Sequence, residues 1–256
     1  ALAGAGAHVT LAVRDAGAGA ETAAEIGGDV AVAHLDLTDL DSVRAFTAAW
    51  DGPPHILVNN AGVMAAPETR TEQGYELQFA TNHLGHFALA TGLHGALAAA
   101  GGARIVAVSS SAHMRFPVLF DDPHFRFVPY DPWAAYGQSK TANVLFAVGA
   151  TDRWARDGIT ANSLMPGAIV TNLQRHVGGT VRQPPERRKN TEQGAATSVL
   201  LAASSLVEGV SGRYFADCQE QPVVSEATSD LLGVAPYALD PSNADRLWDL
   251  SSRLVA

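Results

Sequence analysis

The chain has 256 residues, of which 47% are apolar and 17% are charged, a composition typical of a folded globular protein rather than a disordered or fibrous one. Its formal charge is -9 at pH 7, so nucleic acids and anionic membrane surfaces are not expected as partners. The single cysteine, Cys218, cannot form an intramolecular disulfide, and no apolar stretch approaches the roughly 20 residues of a membrane span. We therefore expect a single-domain, cytoplasmic protein without a membrane span.

Short runs rich in β-branched residues alternate along the chain with longer stretches rich in Ala and Leu. The short runs predict strands at 8–13, 30–37, 55–60, 104–109, 160–164 and 212–216. Helical spacing predicts helices at 41–50, 81–99, 136–156 and 190–203, and Asp240 followed by Pro241 marks the start of a last helix. This alternation predicts an α/β fold with a doubly wound parallel sheet. Segment 178–189, rich in Gly, Pro and Arg, is either a mobile substrate flap or a plain linker.

Tyr136 and Lys140 stand four residues apart on a predicted helix, which places the phenol and the ammonium on one face. A free phenol has a pKa of about 10, and a neighbouring ammonium stabilises the phenolate. The pair therefore predicts a phenol with a lowered pKa that acts as a general acid or base, although the spacing alone also occurs in surface pairs. Polar residues at the ends of two strands, 59–62 and 109–111, and in segment 81–86 could converge on it.

In their order along the chain, these motifs resemble the short-chain dehydrogenase/reductase family over nearly the whole sequence. The resemblance is carried by Asp36-Leu37, Asn59-Asn60-Ala61-Gly62, Asn82, Ser110, Tyr136 with Lys140, and Pro166-Gly167-Ala168-Ile169-Val170-Thr171. The strings at 82–87, 109–113 and 136–143 look most like the retinol dehydrogenase-like branch. The resemblance implies a single NAD(P)-binding domain of the Rossmann type over residues 1–256, with oxidoreductase activity.

The resemblance also implies roles for four catalytic residues. Tyr136 would exchange a proton with the substrate oxygen, and Lys140 would lower the phenol pKa and hold the ribose hydroxyls. Ser110 would donate a hydrogen bond to the carbonyl oxygen, with Ser111 as the alternative, and Asn82 would anchor a water that leads protons to solvent. The implied cofactor-binding residues are Arg14, Asp36, Leu37, Asn60, Ala61, Gly62, Tyr136, Lys140, Pro166, Gly167, Ile169 and Thr171.

The end of the strand at 8–13 bears on the choice of cofactor. In Rossmann-type folds an acidic residue at the end of the second strand binds the ribose hydroxyls of NAD, whereas an arginine accommodates the NADP phosphate. The alignment with the family places Val13 at the acidic position and Arg14 beside it, so NADP(H) is favoured over NAD(H). Two alternatives stay open: Asp15 as an acid that binds NAD, and Arg14 as a solvated turn residue.

The family's first strand and its glycine-rich phosphate-binding turn are absent from this chain, so the N-terminal βα unit is incomplete. Two glycine pairs, at 4–6 and 17–19, do not open a helix after a first strand, and we interpret neither as that turn. The absent strand is central in the family's sheet, so two apolar strands would be left with unpaired edges. We expect the natural protein to carry about 20 to 25 further N-terminal residues, the rest of a βα unit.

Aromatic and sulfur-containing side chains near the presumed site suggest a lipophilic alcohol, aldehyde or ketone as the substrate. They are Met114, Phe116, Phe120, Phe125, Phe127, Trp133 and Met165. The alternative is that most of them pack in the core or at a subunit contact. The family suggests a homodimer or homotetramer. Two other functions are weighed, a non-catalytic binding or regulatory protein and an epimerase or dehydratase.

The nine histidines do not predict a metal site, because no carboxylate or thiol completes a ligand set around His83 and His86. We interpret these two as residues that satisfy polar positions near the site or at the surface. His113, three residues after Ser110, is predicted to line the substrate entrance.

Overall fold

A computed structural model describes residues 1–181, 183–228 and 230–256. The strands are β1 (Val9–Val13), β2 (Val30–His34), β3 (Ile56–Asn59), β4 (Arg104–Val108), β5 (Thr160–Met165), β6 (Ala168–Ile169), β7 (Arg188–Lys189), β8 (Tyr214–Ala216) and β9 (Gln219–Glu220). The α-helices are α1 (Ala16–Ile26), α2 (Leu40–Ala49), α3 (Leu77–Phe79), α4 (Gly85–Gly92), α5 (His94–Ala99), α6 (Pro132–Trp154), α7 (Thr191–Ala203) and α8 (Pro241–Val255). A π-helical turn, Ala80–Leu84, joins α3 to α4.

The main sheet has five strands in the order β3-β4-β5-β8-β9. The pairs from β3 to β8 are parallel, and only β9 joins antiparallel. Helix α6 connects β4 to β5, and helix α7 lies in the connection from β5 to β8. Parallel strands joined through helices confirm the predicted α/β fold of the Rossmann type.

The first two strands form a sheet of their own. β1 pairs in parallel with β2, and in the part of the chain that the structure describes no strand connects β1 to β3. At the end of β3, Asn59 is buried, and neither its amide nitrogen nor its amide oxygen has a hydrogen-bond partner among the described residues. A buried side-chain amide normally has such partners. The edge of β3 is therefore unsatisfied both in its strand pairing and in this side chain.

An aromatic cluster holds the helices behind the main sheet together. The rings of Phe146 on α6 and Trp248 on α8 stack at 6.0 Å, and Trp154 meets Trp248 edge-on at 5.2 Å. Phe87 on α4 contacts Trp248 edge-on at 5.0 Å. Large buried aromatic rings contribute much of a core's stability, so this cluster fixes α4 and α6 relative to each other. Helix α6 carries Tyr136 and Lys140 of the candidate site, and α4 follows the turn that holds Asn82.

Each predicted strand and helix has a counterpart in the structure, but several bounds and elements differ. β2 ends at His34 rather than at 37, α6 begins at Pro132 rather than at 136, and the two-residue strands β6, β7 and β9 were not predicted. Helix α1 was not predicted, because its first turn holds the glycines at 17 and 19. The predicted helix 81–99 begins earlier, at Leu77, passes through the π-helical turn and is interrupted at Leu93. Of the predicted flap 178–189, Arg182 lies outside the described residues, and the end of the segment forms β7, which pairs with β6. The mobility of this segment stays a prediction.

No helix within the described residues combines the length and the apolar character that crossing a bilayer requires.

Candidate active site

Helix α6 carries the Tyr136 and Lys140 pair one turn after its start. Asp131 caps the helix by accepting hydrogen bonds from the amides of Trp133 and Ala134, and Pro132 occupies the first turn. The Lys140 Nζ lies 5.7 Å from the centroid of the Tyr136 ring, and both side chains are buried. The helical spacing therefore places the two groups on one face, as the sequence predicts.

Ser110 follows β4 and meets this face. Its hydroxyl lies beside the Tyr136 phenol and accepts a hydrogen bond from the amide of Ala112 at 3.2 Å. The neighbouring Ser109 is turned the other way, because its hydroxyl donates to the Lys140 carbonyl at 2.7 Å. Ser111 begins a short 3-10 helix, Ser111–Met114. Of the three serines it is Ser110 whose side chain acts on the Tyr136 phenol, and its catalytic role stays a prediction.

The pKa of the phenol differs from the expectation. Burial raises the pKa of Tyr136 to about 12, and the hydrogen bond from Ser110 acts in the opposite direction without overcoming it. The ammonium of Lys140 donates to the Val108 carbonyl at 3.0 Å, and burial lowers its pKa to about 8. The prediction that Lys140 lowers the phenol pKa is wrong for this state of the protein, because desolvation of the phenolate dominates.

Asn82 lies fully buried in the π-helical turn, a distortion that often marks functional positions. Its Oδ1 accepts from the Val63 amide at 2.8 Å, and its Nδ2 donates to the Val63 carbonyl at 2.9 Å and to the Ser139 hydroxyl at 2.9 Å. Ser139 in turn donates to the Tyr136 carbonyl at 2.7 Å. The Asn82 amide thus ties the turn after β3 to α6. Its predicted contact with a water stays a prediction.

The turn after β3 lies against the Lys140 ammonium. A Cβ added at Gly62 would come within 2.9 Å of the Asn82 Oδ1 and 3.5 Å of the Lys140 Nζ. Asn60 and Ala61, the residues before it, are exposed. Only a glycine leaves this narrow space open, and a cation and backbone groups border it. These residues therefore fit the ribose end of a nicotinamide dinucleotide.

Other predicted cofactor-binding residues, Arg14 and Asp36, follow β1 and β2. Arg14 is exposed directly after β1, whereas the Asp15 Oδ1 accepts from the amides of Gly17 at 2.9 Å and Ala18 at 3.1 Å and so caps α1. After β2, the Asp36 Oδ1 accepts from the amide and the hydroxyl of Thr38. The sequence analysis did not predict that Asp15 caps a helix. The signal that could have indicated it is an Asp placed directly before the alanine-rich run that begins at residue 16.

Leu37, next to Asp36, is buried where α4 crosses the loop after β2. A Cβ added at Gly85 would lie 2.4 Å from the Leu37 carbonyl oxygen. This contact brings the loop after β2 against the helix that follows Asn82. The close packing of its backbone against α4 therefore holds Leu37 in place.

The segment from Pro166 to Thr171 leaves the same sheet edge as Ser110, because it follows β5 and Ser110 follows the neighbouring parallel strand β4. Gly167 adopts a positive φ of 97°. Ile169 lies in β6, and the Thr171 hydroxyl accepts from the Leu173 amide at 3.2 Å and starts a 3-10 helix. The structure thus brings this segment to the end of the sheet where Ser110 lies.

Two groups of residues lie elsewhere than the sequence predicts. His113 is completely buried, so the prediction that it lines the substrate entrance is wrong. Of the seven side chains predicted to favour a lipophilic substrate, Met114 and Phe125 are buried and Phe127 is 90% exposed. The Phe120 ring lies under the Arg246 guanidinium, with 4.2 Å between the guanidinium carbon and the ring centroid. Their proximity in sequence did not show which of them face the site, since 3-10 turns and loops separate them.

The buried histidines have protein partners. His83 pairs with the Ser251 hydroxyl at 2.7 Å, and the His86 Nδ1 pairs with the Asn82 carbonyl at 3.0 Å. Burial lowers the pKa of His83 to about 3 and that of His86 to about 4. Across 1–181, 183–228 and 230–256, no cluster of His, Cys, Asp and Glu has the arrangement to hold a metal ion.

Comparisons with known proteins agree with this geometry. Residues 1–181 match the family model for short chain dehydrogenase. A probable oxidoreductase of Streptomyces lividans is 57% identical over 97% of this chain and 89% of its own length. Human retinol dehydrogenase 14 is 39% identical over 89% of this chain and 67% of its own length. A crystal structure of an uncharacterised protein from Mycobacterium paratuberculosis superposes with a TM-score of 0.79 at 35% identity, covering 99% of this chain and 86% of that one.

The chain belongs to the short-chain dehydrogenase/reductase family. It is accordingly an NAD(P)-dependent dehydrogenase or reductase, an oxidoreductase that acts on small molecules.

Proposed function

We propose that this protein is an NADP(H)-dependent oxidoreductase that interconverts a lipophilic alcohol with its aldehyde or ketone, with Tyr136 as the general acid and base. The observation that carries the proposal is that the Ser110 hydroxyl and the Lys140 ammonium both lie beside the Tyr136 phenol. Three groups meet there: Ser110, which follows β4, and Tyr136 and Lys140, which lie on α6. Together they can bind or protonate one carbonyl oxygen and hold the neighbouring ribose.

The chemistry follows from these positions. When bound, the nicotinamide supplies or accepts the hydride. In reduction, the Tyr136 phenol gives its proton to the carbonyl oxygen while the Ser110 hydroxyl donates a hydrogen bond to the same oxygen. In oxidation, the phenolate removes the proton of the alcohol. Since the pKa of Tyr136 lies at about 12, the phenol is protonated at neutral pH and is ready to act as the acid in reduction.

Two side chains orient these groups. The Lys140 ammonium has three N–H donors, one of which is directed to Val108, and the others would hold the ribose hydroxyls. Asn82 keeps the Gly62 turn against α6 through Val63 and Ser139. We propose that Asp36, Asn60, Ala61 and the segment 166–171 complete the cofactor site.

The preference for NADP(H) is supported by the end of β1. The Asp15 carboxylate caps α1 and is occupied by two amides, whereas the Arg14 side chain is exposed beside it. An exposed guanidinium at this position can pair with a ribose phosphate through two hydrogen bonds. This arrangement favours Arg14 over Asp15 as the residue that selects the cofactor.

A lipophilic substrate is supported by aromatic groups next to Tyr136. The Trp133 ring lies 6.3 Å from the Tyr136 ring, and a Cβ added at Gly137 would lie 2.4 Å from the Phe116 ring. The name of human retinol dehydrogenase 14, 39% identical to this chain, states an alcohol of this kind for that relative. A straight-chain aldehyde series of increasing length tests this part, with catalytic efficiency expected to rise with chain length.

The acid–base role is tested by Tyr136→Phe. We expect turnover of aldehydes to fall by roughly 100-fold or more while NADPH binding, measured by calorimetry, is retained, because only the proton donor is lost. Tyr75→Phe is the matched control, since it removes a hydroxyl bonded to the Leu254 carbonyl, outside the site. Near-full activity of Tyr136→Phe would refute the role.

The cofactor preference is tested by Arg14→Ala. We expect the affinity for NADPH to fall by about tenfold or more while that for NADH changes little, because only NADPH carries the phosphate. Arg156→Ala removes another exposed arginine and serves as the control. Equal loss for both nucleotides would contradict the assignment of Arg14.

We further propose a homodimer or homotetramer in the cytoplasm, supported by the family resemblance and by the single free Cys218. Light scattering on the purified protein measures the oligomeric state, and a monomer at micromolar concentration would contradict this proposal.

A further inference from the structure

His113 is a buried histidine next to the site that the proposed mechanism does not use. It lies in the 3-10 helix Ser111–Met114, three residues after Ser110, and is completely buried. The Tyr214 ring packs against its imidazole with 4.6 Å between centroids. A polar side chain buried this deeply beside a reacting group requires partners for both of its ring nitrogens.

Both ring nitrogens have backbone partners, which determine the position of the proton. The Ala235 amide donates to His113 Nε2 at 3.3 Å, so this nitrogen is unprotonated. His113 Nδ1 lies 2.7 Å from the Ser110 carbonyl, which can only accept. The imidazole is therefore neutral, with its proton on Nδ1 and donated to Ser110. Burial lowers the pKa of His113 to about 4, in agreement with a neutral ring.

The backbone of His113 reinforces the same connection. Its carbonyl oxygen accepts from the Tyr237 hydroxyl at 2.5 Å and from the Thr141 hydroxyl at 3.2 Å. Thr141 lies on α6, directly after Lys140, while Ala235 and Tyr237 belong to the segment that precedes α8. One residue thus joins the strand end that carries Ser110, the helix that carries Tyr136, and the segment 235–237.

We propose that His113 is a positioning residue: its Nδ1–H holds the Ser110 carbonyl so that the Ser110 hydroxyl meets Tyr136, and its Nε2 binds the segment 235–237 to the site. The inference rests on the proposed function of Ser110 and Tyr136. A displacement of Ser110 by a fraction of an ångström weakens a hydrogen bond that the reaction needs, although His113 itself touches no substrate.

Two substitutions separate the two ring nitrogens. In His113→Asn the amide nitrogen can take the place of Nδ1, so the bond to Ser110 is kept and that to Ala235 is lost. In His113→Gln the amide oxygen reaches the place of Nε2, so the bond to Ala235 is kept and that to Ser110 is lost. Tyr75→Phe is the control, because it removes a hydroxyl bonded to the Leu254 carbonyl, outside the site and away from His113.

Three readouts are measured. The first is kcat and KM with NADPH and a straight-chain aldehyde, and the second is the melting temperature. The third is the NMR resonance of the Tyr136 ring in tyrosine-labelled protein, which is assigned by its loss in Tyr136→Phe. We expect His113→Gln to lower kcat by about tenfold, with little change in the KM for NADPH, and to shift the Tyr136 resonance. We expect His113→Asn to retain most of kcat and the parent resonance. A merely structural role would lower the melting temperature in both variants and leave kcat and the resonance at the parent values.

A measurement on the parent protein keeps the proposal independent of activity and of how the variants fold. Isotope-labelled imidazole nitrogens report the tautomer of His113 directly by NMR, and we expect the proton on Nδ1 at neutral pH. A proton on Nε2, a charged ring, or a His113→Gln protein with parent kcat and resonance would overturn the proposal. If the parent consumes no NADPH with any aldehyde, the proposed function fails, while the tautomer and the Tyr136 resonance still decide whether His113 positions Ser110.

Discussion

At the scale of single residues, the order of motifs in the sequence was enough to single out Ser110, Tyr136, Lys140 and Asn82, which the structure brings close together. Their catalytic roles stay predictions. The ionisation of these groups was not predictable in this way, because it depends on how deeply they are buried. Proximity of Lys140 predicts a lowered phenol pKa, yet burial raises the pKa of Tyr136 to about 12. His113 shows the same limit, since its spacing from Ser110 is visible in the sequence but its burial is not.

The buried His83 predicts how the protein responds to acid. Burial lowers the pKa of His83 from its ordinary value of 6.5 to about 3 in the folded protein, so the unfolded chain takes up a proton first as the pH falls. The contribution of His83 to stability is therefore present above pH 6.5 and is lost as the pH falls from 6.5 towards about 3.

Chemical unfolding at a series of pH values checks this. We expect His83→Gln to reduce the slope of unfolding free energy against pH by about 1.4 kcal/mol per pH unit in this window, the effect of one proton. An unchanged slope in His83→Gln would show that this residue is not the group that titrates.

At the scale of elements, six of the nine strands that the structure describes were predictable, because β-branched runs with turn residues on both sides are typical of strands. The two-residue strands β6, β7 and β9 are too short to leave such a pattern. The helix α1 was missed, since the glycines of its first turn favour a loop and only the cap of Asp15 indicates a helix. The π-helical turn around Asn82 was also not predictable, because its extra residue depends on packing rather than on composition.

The crossing of α4 over the loop after β2 yields a prediction about glycine. A Cβ at Gly85 would lie 2.4 Å from the Leu37 carbonyl, so Gly85→Ala forces the helix away from the loop. We expect a loss of about 1 to 3 kcal/mol in unfolding free energy and a weaker cofactor site.

Gly95 on α5 is the matched control, because nothing lies within 4 Å of a Cβ added there. We expect Gly95→Ala to stabilise the protein by about 0.5 to 1 kcal/mol, since alanine is the better helix former. Thermal or denaturant unfolding measures both. A neutral Gly85→Ala would mean that the helix and the loop can separate without cost.

At the scale of the whole molecule, the sheet is divided between β1 and β3. The sequence predicts this division, because the central strand of the family's sheet has no counterpart in the chain. Among the described residues no strand pairs between β1 and β3, and the Asn59 amide at this edge has no hydrogen-bond partner.

The measurement that tests the central claim most directly is a calorimetric titration of the purified protein with NADPH and, separately, with NADH. The Lys140 ammonium, the Gly62 turn and the exposed Arg14 predict that NADPH binds, and that it binds at least about tenfold more tightly than NADH. Binding of neither nucleotide would contradict the account, since Tyr136 would then have no hydride donor beside it.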